Sequence, residues 1–166
     1  MVTGMEQYHF ERAGYFVRRA LVVAGGGDGS TPPSEVVALA GDVLGQPIRE
    51  LHPEQDAVDL IWRRATGPPA DAAHDQQEAA LARCTHVVEV RLALSPVDVY
   101  VLPGTHVAPL SRETLHALAR TAVDQVAEAV RVRLAAGDCL VMSAALLRAD
   151  DEASPHRFST WLFARG

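Results

Sequence analysis

From Thr85 onward the chain alternates between apolar and polar positions with a period of two. Val88, Val90, Leu92 and Leu94 fall on one side, and Glu89 and Arg91 on the other. Successive side chains of a β-strand point to opposite faces, so this pattern predicts a strand over 86–94. Pro96 interrupts the run and residues 97–102 resume it. Pro103-Gly104 reads as a turn. Residues 130–134, 139–143 and 157–164 are further expected strands, with Ala135-Ala-Gly-Asp138 a tight turn between the first two. Nearer the start, residues 14–23 are rich in β-formers and follow a short N-terminal helix. Residues 47–51 and 57–64 also look like strands.

Two segments change to helical spacing. Thr31-Pro-Pro-Ser-Glu carries start signals, a Ser/Thr cap and proline near the first turn. Val36, Val37, Ala40, Val43 and Leu44 then form one face, and Gly45 closes the helix. Residues 111–128 place Leu115, Leu118, Ala119, Ala122 and Val126 on another apolar face. Residues 67–77, Gly-Pro-Pro-Ala-Asp-Ala-Ala-His-Asp-Gln-Gln, read as a long loop. Residues 24–30 are glycine-rich but lack the Lys-Ser/Thr of a phosphate-binding loop, so they read as a surface loop. Many short strands with two or three helices predict a mainly β protein with flanking helices, a jelly-roll barrel.

Composition narrows the picture. The 166 residues suit a single domain spanning 1–166, with no internal repeat to divide it. No run of 18 apolar residues exists, so no transmembrane span is expected, and the polar start MVTGMEQYHFERAG does not resemble a signal peptide. The net charge is −6, and all 15 cations are arginine. No basic run with interleaved aromatics occurs, which argues against nucleic acid as a partner. The absence of lysine and the richness in Ala, Val, Arg and Gly suggest a GC-rich bacterial source. Cys84 and Cys139 fit no CxxC pattern and are expected to be buried, reduced thiols of a cytoplasmic protein.

The motifs carry a resemblance. Leu102-Pro-Gly-Thr-His106, then Gly137-Asp138 leading through an apolar strand to Leu147-Arg148, then Arg157 in Pro155-His-Arg-Phe-Ser-Thr-Trp, resemble the phytanoyl-CoA dioxygenase-like branch of the iron(II)/2-oxoglutarate oxygenases. Residues 85–166 carry most of the likeness, and Phe10-Glu-Arg-Ala-Gly-Tyr-Phe-Val17 looks like the family's opening. The resemblance implies a double-stranded β-helix, a cupin-type jelly roll, with much of the usual helical N-terminal portion trimmed. It also implies an iron site of two imidazoles and one carboxylate, with positions left open for 2-oxoglutarate and oxygen.

Set against that pattern, the chain departs at two ligands. His74 matches the first imidazole, but Gln76 stands where the carboxylate belongs. Asp75 is adjacent, and in an extended segment it would point to the opposite face. Arg148 stands where the resemblance expects the distal histidine, and a guanidinium offers no lone pair to a metal. At about 4 Å and an effective dielectric near 20, two unit charges interact by roughly 4 kcal/mol, so a divalent ion faces about twice that from Arg148. His86, His106 and His156 lack a suitably spaced carboxylate, and His9, His52 and His116 sit in helix or loop contexts.

These departures lead to the expectation of a protein with no metal and no cofactor. His74, Asp75 and His106 are the candidate acid–base groups. Gln76, Arg148 and Arg157 are the candidate ligand-binding groups, the two guanidiniums matching a carboxylate or phosphate. The expected function is metal-independent binding or tailoring of a small polar or anionic molecule, of cyclase or isomerase type, in bacterial secondary metabolism. Two alternatives stand beside it. One is a non-catalytic homologue that binds a ligand, forms a homodimer or pairs with another biosynthetic enzyme. The other is an active iron(II)/2-oxoglutarate-dependent dioxygenase whose ligands lie elsewhere in the chain.

Overall fold

Local capping sets the first element. Thr3 Oγ1 accepts the Glu6 N–H at 3.2 Å, and the Glu6 carboxylate accepts the Thr3 N–H at 2.8 Å. This reciprocal pair satisfies donors that a helix N-terminus leaves open. It starts helix α1, Gly4–Ala13, which Gly14 ends in the left-handed conformation at φ 87°. The computed structural model describes residues 1–21, 31–51, 70–84, 86–150 and 157–166. After α1 come β1 (Tyr15–Arg18), α2 (Ser34–Leu44), β2 (Ile48–Leu51), α3 (Ala70–Cys84), β3 (Val87–Ala93), β4 (Val97–Val101) and α4 (Arg112–Arg120). A 3-10 turn (Val123–Gln125) leads to β5 (Val130–Leu134), β6 (Cys139–Ser143), β7 (Arg148–Asp150) and β8 (Phe158–Arg165).

The strands form two antiparallel sheets. The larger has the order β1-β6-β3-β8-β2 and the smaller β5-β4-β7. Their facing sides share one core, in which Ala93, Leu140 and Met142 meet Val97, Val99, Val101, Val132 and Leu134. The outer side of the larger sheet buries Val88, Val90, Val141, Trp161 and Phe163 against Val36, Leu39 and Ala40 of α2. The outer side of the smaller sheet buries Leu102, Leu147 and Ala149 with Leu118 of α4. Leu81 and Cys84 of α3 pack with Leu51, Ala144, Ala145 and Leu162 in a fourth cluster. β6 therefore lies under cover on both faces, which is why it reads as an unbroken apolar run.

The expected strands at 86–94, 97–102, 130–134, 139–143 and 157–164 are present to within one or two residues. The mainly β fold with flanking helices is the observed architecture. Three local readings need correction. Residues 67–77 are not one long loop, because α3 begins at Ala70 and carries His74 and Asp75. Its alanines and long-chain polar residues are strong helix formers, and Pro68-Pro69 masked that signal. The helix expected over 111–128 stops at Arg120, and the chain continues as a 3-10 turn. α2 has Pro33 rather than a Ser/Thr at its N-cap, without a side-chain capping bond. The strand expected over 57–64 and the loop over 24–30 lie outside the described residues.

Gly14 joins α1 to the sheet in a space that admits no side chain. A Cβ there would lie 2.6 Å from His106 Nδ1 and 2.8 Å from Leu146 Cδ1. Gly14→Ala is expected to lose about 1–2 kcal/mol from the left-handed backbone alone, with the crowding in addition. Urea unfolding checks this. Adding His106→Ala should recover the part of the crowding that comes from the imidazole and leave the Leu146 contact and the backbone part.

Candidate functional site

Arg148 opens β7, paired with Val101 of β4. Its neighbours Leu147 and Ala149 pack outward with α4, so alternation turns Arg148 toward the space between the sheets. On the opposing sheet, β3 places Val88 and Val90 outward under α2, and Glu89 and Arg91 inward by the same rule. All three charged residues are buried: Glu89 is 3% exposed, Arg91 6% and Arg148 2%. Arg148 Nη2 donates to Glu89 Oε2 at 2.7 Å, and Arg91 Nε donates to the other carboxylate oxygen. The Arg91 guanidinium also lies over the Phe158 ring, 5.4 Å from its centroid, a cation–π contact. One carboxylate thus takes two guanidiniums, and Arg148 carries the link across to the other sheet.

Such a cluster is weak as a stabilising device. Desolvating three charges offsets most of their attraction, and apolar replacements of similar volume often do as well or better. Breaking it is different, because a buried charge then loses its partner. Arg148→Met is expected to destabilise by about 3–5 kcal/mol in urea unfolding, whereas replacing Glu89, Arg91 and Arg148 together with apolar residues should restore most of that. If stability alone does not require the charges, their inward placement points to a ligand.

The other candidate residues lie on separate elements. His74 is on α3, with Nδ1 3.9 Å from Asp75 Oδ1 and 4.0 Å from Glu78 Oε2. That nitrogen is buried and makes no hydrogen bond among the described residues. Gln76 belongs to the same helix. The expected pairing of His74 with the residue two positions on assumed an extended backbone. In a helix, residues four apart share a face, so Glu78 is the matching carboxylate. Asp75 also lies 3.8 Å from Arg112 Nη2 of α4. Gln77 is fully buried, and its Oε1 accepts the Leu110 N–H at 2.8 Å. Arg157 precedes β8, where its Nη1 donates to the Pro96 carbonyl at 3.0 Å. The structure links Arg148 to Glu89, His74 to Asp75 and Glu78, and Arg157 to the β3–β4 connection.

His106 Nε2 lies 3.1 Å from the Glu11 carbonyl, which ties the Pro-Gly turn to α1. Burial pushes its pKa below the usual 6.5, and the backbone bond to Glu11 opposes this in part. The unfolded chain therefore binds the proton more readily than the folded one. The stability contribution is complete above about pH 6.5 and falls as pH drops from there toward the lowered folded value. His106→Gln should flatten the urea midpoint between pH 7 and 5 relative to the unaltered protein. Cys84 and Cys139 are free and buried, and burial pushes the Cys139 thiol up to about 12, which leaves it inert as a nucleophile.

Sequence reasoning missed Glu89, Arg91 and Glu78. Glu89 and Arg91 were placed on the polar side of an alternating strand, with no partner named for them. Their signal was position: β3 lies in the middle of the larger sheet, where neither face is open. Glu78 was hidden by the loop reading of α3.

Comparisons with known proteins bear on the fold. No protein-family model matches the chain, and no curated protein matches its sequence. Solved structures do match. HygX from Streptomyces hygroscopicus, with nickel, 2-oxoglutarate and hygromycin B bound, is 15% identical, with 99% of this chain and 88% of that chain covered and a TM-score of 0.63. SnoN, a non-heme alpha ketoglutarate dependent epimerase from nogalamycin biosynthesis, is 18% identical over 97% of this chain and 82% of its own, at 0.53. AviO1 from Streptomyces viridochromogenes Tue57 is 12% identical over 100% and 97%, at 0.56. The chain has the fold of the 2-oxoglutarate oxygenases, the cupin-like jelly roll.

The expectation of no metal and no cofactor is corrected by these findings. HygX has been seen with nickel and 2-oxoglutarate and with iron, and SnoN with Fe3+ and alpha ketoglutarate. In this chain the ligand atoms of His74, Asp75 and Glu78 all lie within 4.8 Å of one another. An imidazole nitrogen with two carboxylate oxygens suits a first-row divalent cation, and the orphaned His74 Nδ1 is the atom such an ion would engage. The residues fit.

Proposed function

We propose that this protein tailors a small polar molecule of bacterial secondary metabolism, holding an anionic group of that molecule between the two sheets. The observation that carries this reading is the buried cluster of Glu89, Arg91 and Arg148, facing inward in a fold whose solved neighbours hold 2-oxoglutarate and antibiotics. The two guanidiniums are forks suited to bidentate carboxylate recognition. Glu89 orients both, and Phe158 covers one face of Arg91. Val99, Val101 and Leu140 belong to the apolar core between the sheets, where water is scarce and a charge–charge contact is strengthened. The reaction class is isomerisation or cyclisation, in which bonds are rearranged on a held substrate.

Calorimetric titration with 2-oxoglutarate and with succinate tests the binding step. The unaltered protein should bind at least one of these dicarboxylates. Arg148→Lys, which keeps the charge and loses the fork, should weaken that binding about tenfold, or about 1.4 kcal/mol. No binding of either, or equal binding by both proteins, tells against the reading.

A second reading is favoured by the grouping on α3. There the protein is an iron- and 2-oxoglutarate-dependent enzyme whose metal is held by His74, Asp75 and Glu78. A divalent cation at that position supplies a Lewis acid with coordination sites open to substrate. His74 would bind through Nδ1, with the carboxylates neutralising the charge. Metal analysis after loading with iron(II) tests this reading. Iron bound one-to-one, lost on His74→Ala and retained on Arg148→Lys, supports this one.

A further inference from the structure

Residues 102–105 and 147–148 are far apart in sequence but joined by a closed set of hydrogen bonds. Pro103 and Gly104 make a tight turn, with Gly104 at φ 83°. The turn brings Thr105 back so that its hydroxyl donates to the Leu102 carbonyl at 2.8 Å. The same oxygen accepts the Leu147 N–H at 3.0 Å. Leu102 N–H in turn donates to the Leu147 carbonyl at 3.0 Å. Thr105 is 5% exposed and Leu147 is 5% exposed, so water does not compete for these groups. The next residue is Arg148, which opens β7. The Thr105 hydroxyl and the Leu102 N–H thus hold both backbone groups of Leu147 immediately before the strand begins.

We propose that Thr105 is a positioning residue for Arg148: through Leu147, its hydroxyl sets where the guanidinium meets Glu89. The inference deepens the reading of Arg148 as a ligand-binding group and rests on it for its functional meaning. Serine keeps the donor and acceptor. Valine keeps the shape, leaves the Leu147 N–H without its acceptor, and frees the start of β7. Alanine removes both hydroxyl and bulk.

The test is nuclear magnetic resonance of the full chain without ligand, following the Arg148 Nε–H signal and exchange of the Leu147 amide. In the unaltered protein the Leu147 amide should be among the slowest to exchange. Thr105→Val should speed that exchange at least tenfold and move the Arg148 signal, while Thr105→Ser should leave both near their original values. Global stability, read from tryptophan fluorescence, separates a local release from general loosening. An Arg148 signal unmoved in Thr105→Val, or moved equally in Thr105→Ser, overturns the proposal. If Thr105→Val does not fold, Thr105→Ala replaces it, with the same outcomes deciding. Rapid exchange at Leu147 in the unaltered protein overturns the proposal without any variant. Because no ligand is present, a failure to bind dicarboxylates counts against the proposed function and leaves the positioning role standing.

Discussion

The contact between Glu89 and Arg148 is the constraint around which the centre of the molecule is arranged. It spans the two sheets, one partner on β3 and the other on β7. Around it the facing sides are apolar, supplied by valines and leucines that pack without specifying direction. A charge pair in that environment admits one geometry, since a displaced guanidinium leaves a carboxylate desolvated and unmatched. Arg91 narrows the geometry further by taking the second carboxylate oxygen from the same strand. The apolar core explains why the sheets associate, and the charged cluster explains why they associate in this register.

The turn before α4 serves the same centre. Leu102-Pro-Gly-Thr-His looks like a strand terminator, and its polar groups also tie it to distant segments. Gly104 N–H reaches the Ala13 carbonyl, His106 approaches Glu11, and Thr105 bonds Leu102 and Leu147. Two of these contacts hold α1 against the barrel, and the third reaches the start of β7. The Gly137-Asp138 turn is built the same way. The Asp138 carboxylate accepts the N–H groups of Ala20 and Ala135 and an Arg19 guanidinium contact, which holds the carboxyl below its usual range against the opposing effect of burial. Each of the two motifs therefore ties a strand end to a distant segment.

Much of the fold was legible because its strands carry strong local signals. Residues 87–93 alternate, 139–142 are continuously apolar, and glycine marks the turns at 14, 45, 104 and 137. The site was less legible. Alternation tells which residues share a face, but whether the polar face meets water or a second sheet is decided by the partner strands. Glu89 and Arg91 were placed on the correct face, but alternation could not say what that face meets. α3 failed for another reason. Its sequence has helix-forming residues but no clean apolar stripe, and the prolines before it outweighed the alanines. With the helix goes the spacing rule, which is why position 78 and not position 76 stands with His74.

The two charged centres have opposite preferences. Between the sheets, two guanidiniums share one carboxylate, and a cation placed there meets two positive groups at close range. On α3, one imidazole lies near two carboxylates, and an anion placed there meets two negative groups. Since Coulomb energy changes sign with the ligand's charge and is largest where water is excluded, an anionic group is favoured at the first centre and a divalent cation at the second. An arginine at position 148 is therefore compatible with metal chemistry in this chain only if the metal is held by other elements, and α3 is the element whose described side chains offer the donors. The departure at position 148 alters where each charge is held within the fold.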